Sequence, residues 1–119
     1  MYAEADVRLN KTVSTSAIDC VNQVRHRAGL ADLPAEKTTS VNAFLDALLE
    51  ERGHEFYYEG HRRIDLIRFN KYWTIMDAIG CTPTSQYFPI PNYAVDQAAD
   101  MGYTLTQYFT RPDYDGPQR

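Results

Sequence analysis

The stretch with the densest reactive chemistry is Glu50-Glu51-Arg52-Gly53-His54-Glu55-Phe56-Tyr57-Tyr58-Glu59-Gly60-His61-Arg62-Arg63-Ile64-Asp65-Leu66-Ile67-Arg68-Phe69. His54-Glu55 opens like the zinc-protease pattern HExxH, whose two histidines hold a metal from one helix face, but position 58 is Tyr. Glu51 and His54 make one Glu-x-x-His step of a ferritin-like carboxylate site. Such a site needs a second step from another helix, and the chain has none. Glu55 and Glu59 suggest the paired carboxylates of glycoside hydrolysis, which must flank a cleft with one pKa raised. One turn apart and surrounded by arginines, both would instead be held ionised. The chain has no GxSxG elbow, no glycine-rich phosphate loop and no local Cys/His nucleophile motif. The expectation is no catalytic residue, no metal ligand and no cofactor.

The same residues suit a structural task better. Glu51, Glu55 and Glu59 share one face if the segment is helical, and like charges four apart repel by a few tenths of a kcal/mol per pair. Such a face needs cations. Arginine suits it because its planar fork holds two carboxylate oxygens at once. The expected arrangement is an ion-pair network of Glu51, Arg52, Glu55, Glu59, Arg62, Arg63, Asp65 and Arg68 that clamps the end of a long helix to the next one. The runs Arg25-His26-Arg27 and His61-Arg62-Arg63 sit beside carboxylates and read as ion-pairing faces. A net charge of −4 argues against a nucleic-acid partner, which needs a clustered positive surface.

The elements that must position these residues are helical. Tyr2 to Leu9 reads as a short first helix, taken as about 2–10, followed by a turn at Asn10-Lys11-Thr12. Ser14 or Thr15 can cap a second helix over about 15–28, in which Ile18, Val21, Val24 and Ala28 recur at spacings of three and four. Gly29 fits the left-handed position that ends many helices. Pro34 marks a loop. Thr38, Thr39 or Ser40 caps the third helix, about 40–59, whose apolar stripe is Val41, Phe44, Leu45, Leu48, Leu49 and Phe56, with Gly60 as its stop. A short fourth helix is expected over 62–69, with Trp73, Ile75, Met76 and Ile79 continuing after a break. Tyr87-Phe88-Pro89-Ile90-Pro91 must be extended, because a proline disfavours helix at the residue before it. Residues 92–99 suit one or two helical turns, and the chain from about residue 100 reads as coil. The fold class is therefore all-α, with tetratricopeptide-like helical hairpins and an irregular C-terminal segment, in one unit over 1–119.

Composition supports a globular reading: 44% of the residues are hydrophobic and 24% charged, which is ordinary for a packed domain. Nine tyrosines against one tryptophan supply flat faces with hydroxyls, as useful in a wet-edged core as on a sugar- or protein-binding surface. Cys20 and Cys81 form no CxxC pair, so neither a structural zinc site nor a redox dithiol is expected; Cys20 falls on an apolar helix side and reads as a buried free thiol. Spacing alone leaves a bridge between them open. Met1-Tyr2-Ala3-Glu4-Ala5-Asp6 lacks the basic and apolar regions of a signal peptide, and no run approaches the roughly 20 apolar residues of a membrane span. Taken literally that implies a soluble cytoplasmic chain; taken as a fragment it implies an export signal further upstream.

Several of these segments resemble, in order, the C-terminal portion of the SusD/RagB family of nutrient-binding lipoproteins. Tyr2-Ala3-Glu4-Ala5 is similar to a late helix of that family, and Val21-Asn22-Gln23-Val24-Arg25-His26-Arg27-Ala28-Gly29-Leu30 to its Asn-x-Val-Arg-x-Arg-Ala-Gly-Leu segment. Glu51-Arg52, Glu59-Gly60-His61-Arg62-Arg63 and Asp65-Leu66-Ile67-Arg68 match its Glu-Arg, Glu-Gly-x-Arg and Asp-Leu-x-Arg run. Phe88-Pro89-Ile90-Pro91 matches its extended Pro-Ile-Pro, and Leu105-Thr106-Gln107 its closing Leu-Thr-Gln. Gly53 inside a helix, costing up to about 1 kcal/mol, and Tyr108-Phe109-Thr110-Arg111 in place of Asn-Pro-Gly-Tyr depart from the pattern. The resemblance implies a non-catalytic, mostly helical protein at the outer surface of Bacteroidota-type cells. There it captures oligosaccharide as part of a SusC/SusD-like uptake system, with a SusC-like TonB-dependent transporter as partner. It also implies that this chain supplies scaffold, with its carbohydrate-contacting residues unassigned and self-association expected of an uncovered fragment. The rival expectation is a small helical adaptor that binds a peptide or protein.

Overall fold

Two serines set the starts of the longest helices. Ser14 and Ser40 each hold an extended backbone, and their hydroxyls accept bonds of 3.1 Å from the amides of Ala17 and Ala43, three residues on. Each satisfies one of the otherwise unpaired first-turn donors. The computed structural model describes residues 1–106 and residue 111, and its helices are α1 (Tyr2–Asn10), α2 (Thr15–Arg27), α3 (Val41–Glu55), α4 (Arg62–Arg68), α5 (Tyr72–Ala78) and α6 (Asn92–Asp100). A single 3-10 turn, Ala35–Thr38, precedes α3. No strand occurs among the described residues, so the fold is all-α.

The chain divides into two compact units, Met1–Phe69 and Asn70–Arg119. In the first, α1 packs on α2 and α3, and α3 on α4. Their apolar faces supply Val7, Ala17, Val21, Phe44, Leu48, Leu49 and Leu66 to one buried core, and Phe44, Leu66 and Val7 are wholly enclosed. Leu33 joins that core from the loop, its backbone amide donating 2.8 Å to the Asn22 side-chain Oδ1 on α2. The far end of the α2 stripe does not bury: Val24 and Ala28 are exposed. Gly29 follows at φ +77, and the Leu30 amide donates to the Arg25 carbonyl at 2.9 Å, closing the helix in the left-handed manner.

The third helix is shorter than its sequence suggests. It ends at Glu55, not at residue 59; Phe56 caps it, and residues 56–60 form turns in which Tyr58 has φ +66 and Gly60 φ +77. The stop therefore acts before Gly60, which lies in the turn leading to α4. The residues that follow Phe56, Tyr57-Tyr58-Glu59, are exposed, so they bury no apolar face that would hold a further turn of helix in place.

In the second unit, Tyr72 is buried at the start of α5. Arg111 anchors there through two bonds to the Asp77 carboxylate at 2.9 and 3.0 Å, with its guanidinium 5.7 Å from the Trp73 ring centre and its amide 3.1 Å from the Thr84 carbonyl. Pro91 is extended at φ −57, ψ 139 and leads into α6, a full nine-residue helix instead of one or two turns. Gln107, Tyr108-Phe109-Thr110 and the coil expected at 112–119 lie outside the described residues.

Candidate functional site

Charged residues converge where α1, α3 and α4 of the first unit meet. Asp65, in the first turn of α4, is buried, and its two oxygens accept from Arg52 Nε on α3 at 2.9 Å and from Arg68 Nη2 on α4 at 2.7 Å. Arg68 also donates to Glu4 Oε1 on α1, which takes a further bond of 2.8 Å from Arg8 Nε. Phe69 closes the cluster, with the guanidinium carbons of Arg8 and Arg68 at 4.8 and 5.0 Å from its ring centre. Two buried carboxylates are thus shared among three arginines. A buried charge is tolerable only when paired and hydrogen-bonded in this way.

The electrostatics follow from that geometry. Burial alone pushes the Glu4 carboxyl up, but bonds and attraction from Arg68 and Arg8 more than reverse this and hold it below the usual carboxylate range. Asp65 behaves likewise: burial raises it, and Arg52 and Arg68 bring it below its ordinary value. Arg68 is pushed up, first by its bond to Glu4. Glu4, Asp65 and Arg68 are thus held in their charged forms, the state of a clamp, whereas a general acid needs a carboxyl kept protonated. Glu4 Oε2 is buried with no partner among the described residues.

A second set of ion pairs ties α2 to α3. Arg25 bonds Glu51, both side chains largely buried, and also donates 2.8 Å to the Ala31 carbonyl. Arg27 bonds Glu55 in a more exposed position. Glu51 and Glu55 are therefore each engaged by a guanidinium of α2. Glu59 lies outside α3, exposed, and makes no ion pair among the described residues, because the early end of the helix removes it from the Glu51–Glu55 face. Arg62 takes a carbonyl instead of a carboxylate: its Nη1 donates 2.9 Å to the Leu49 oxygen. Arg63 is half-buried on α4.

The arrangement gives Gly53 a reason that its helix propensity does not. A Cβ there would stand 2.9 Å from Arg62 Nη1 and 3.4 Å from its guanidinium carbon. The bare backbone lets the Arg62 guanidinium pass close to α3 and reach Leu49.

Sequence reasoning placed Arg52, Asp65 and Arg68 in one cluster but missed Glu4 and Arg8. The signal was present: Glu4 stands between Ala3 and Val7, on the same side of α1 as two residues that bury. A lone carboxylate on an apolar stripe demands a cation from elsewhere. Cys20 and Cys81 are both free, Cys20 half-buried and Cys81 exposed. No three His, Cys, Asp or Glu side chains come together as a metal site among the described residues. No described helix is long and apolar enough to cross a membrane.

Three residues of this cluster, Arg52, Asp65 and Arg68, come from the Glu-Arg and Asp-Leu-x-Arg run, and the sequence model of the SusD family matches residues 1–115. The chain belongs to the SusD family. No curated protein and no solved structure matches this SusD-family chain significantly. In it, Arg52, Asp65 and Arg68 fasten the helices of the first unit, and the matched length covers that unit and the second as far as residue 115.

Proposed function

We propose that this SusD-family chain serves non-catalytic capture of oligosaccharide at the outer membrane, as part of a SusC/SusD-like uptake system, and supplies scaffold to it. The single observation that carries the reading is the family match over residues 1–115. The geometry supports it from the other side. Asp65, Glu4, Glu51 and Glu55 all have arginine partners within the first unit, so its acidic residues of greatest interest are engaged in holding helices together. A SusC-like TonB-dependent transporter is the expected partner, and the cell surface the expected place.

The test is surface capture of fluorescently labelled oligosaccharides by cells of the native host with and without the gene. Loss of capture on deletion, restored by complementation, is expected, with the transporter co-purifying with the tagged protein. Unchanged capture in the deletion strain overturns the reading. So does hydrolysis of the captured glycan by the purified protein, which removes its non-catalytic half.

A further inference from the structure

The turn that ends α3 exposes an aromatic pair that the fastening role leaves unused. Tyr57 is 73% and Tyr58 92% exposed, with ring centres 4.6 Å apart and planes at 76°. Burial normally stabilises such rings, so two adjacent tyrosines standing in water perform no packing task in this unit. Tyr58 is also held at φ +66, a left-handed backbone that bulky residues rarely adopt. Strained positions of this kind concentrate where a side chain has to be presented.

The two rings border a concavity of about 600 Å³, which also takes in Glu50, Gly53, His54 and Arg62. That volume lies within the range of about 300–1,000 Å³ of small-ligand sites. Its charged groups have partners within the chain: Arg62 donates to Leu49 and Glu50 accepts from Lys37 at 3.2 Å. A charged ligand would compete with those partners. The groups left over are two phenol faces set nearly at right angles, two hydroxyls and the exposed imidazole of His54. Flat apolar faces beside phenol hydroxyls suit a ring with an apolar C–H face and a hydroxyl rim.

We infer that Tyr57 and Tyr58, with His54 at the edge, form a stacking subsite for a neutral saccharide ring, a contact role within this chain in addition to scaffold. The inference rests on the glycan-capture reading above. One pyranose lies against an exposed tyrosine face, and the second ring, turned edge-on, bounds it and offers its hydroxyl. Gly53 and Arg62 line the concavity beside them.

Affinity gel electrophoresis tests this with the full chain in native gels cast with neutral α-glucan, β-glucan, mannan, xylan or fructan. Tyr57→Ala, Tyr58→Ala and Tyr58→Asn run beside it. At least one polysaccharide should retard the wild type, and each substitution should weaken that binding about tenfold, the loss of one buried ring face. Tyr58→Asn separates binding from folding, because Asn tolerates the left-handed backbone: its Tm should rise by about 3 °C while affinity falls. Equal retardation of wild type and variants overturns the subsite and leaves the capture reading standing. A wild type that no polysaccharide retards also overturns the subsite, and capture by cells then judges the broader reading separately. Binding of a peptide library through the same two rings, with no glycan bound, overturns the saccharide assignment.

Discussion

Replacing Asp65 by Asn tests whether the buried cluster is what fastens α3 to α4. The wild-type carboxylate is 3% exposed and accepts from Arg52 through one oxygen and Arg68 through the other. Asn keeps the shape but offers one acceptor, and its NH2 must face the other guanidinium, donor against donor. Arg68 is over a third exposed and keeps Glu4, so water and Glu4 soften the loss there; Arg52 is mostly buried and must retain the carbonyl. The net cost is then one charge-assisted bond and part of a buried attraction, about 2 kcal/mol. For a unit spanning Met1–Phe69 that corresponds to a fall in Tm of about 10 °C. The pH dependence fixes the cause. Asp65 has a folded-state pKa below its unfolded value, so its stabilisation is complete above the unfolded value and disappears as pH falls through the folded one. Asn has no such dependence. Urea denaturation followed by circular dichroism at about pH 7 and about pH 3 should show the two proteins separated in the first case and converging in the second. A loss below about 0.5 kcal/mol at neutral pH, the size of an ordinary surface change, would refute the reasoning. An undiminished gap in acid would refute it equally.

Gly53→Ala gains about 1 kcal/mol of helix propensity but forces Arg62 off Leu49, a bond of similar worth, so it should be close to neutral in thermal melts. In an Arg62→Ala background the same change should stabilise by about 1 kcal/mol, and a double-mutant cycle reads the difference. Ser40→Ala removes the α3 cap and should cost about 1 kcal/mol in urea unfolding. Arg27→Ala breaks a pair in the open and should leave Tm unmoved, whereas Arg25→Ala, breaking the enclosed pair with Glu51, should lower it measurably.

The helices were legible because their signals are local. A cap at Ser14 or Thr15 and another among Thr38, Thr39 and Ser40, which the structure narrows to Ser14 and Ser40, together with Gly29 at φ +77 and the Phe44–Leu48 spacing, are short-range statements about hydrogen bonding and burial. The end of α3 was not legible in the same way. Phe56 extends the apolar pattern to the eye, yet it caps the helix and packs against the Arg52 guanidinium and the His61 ring, contacts that depend on where the following turn goes. The cluster was half legible for a related reason. Arg52, Asp65 and Arg68 lie within seventeen positions of one another in a single charged run, but Glu4 reaches Arg68 across most of the unit, and no spacing rule links positions 4 and 68.

The early end of α3 also links the two roles assigned to this stretch. Position 57 lies four residues beyond Gly53, so a continuing helix would set the Tyr57 side chain on the surface where the Arg62 guanidinium now rests. Arg62 could not then reach Leu49, and Tyr58 would take ordinary helical angles in place of φ +66. Breaking the helix at Glu55 frees the Gly53 surface for Arg62, which comes back from the start of α4, and throws both tyrosines outward. Scaffold and aromatic display thus follow from one local choice of backbone. Restoring helix across 56–59 should therefore remove the Arg62–Leu49 bond and the tyrosine pair together, not one without the other.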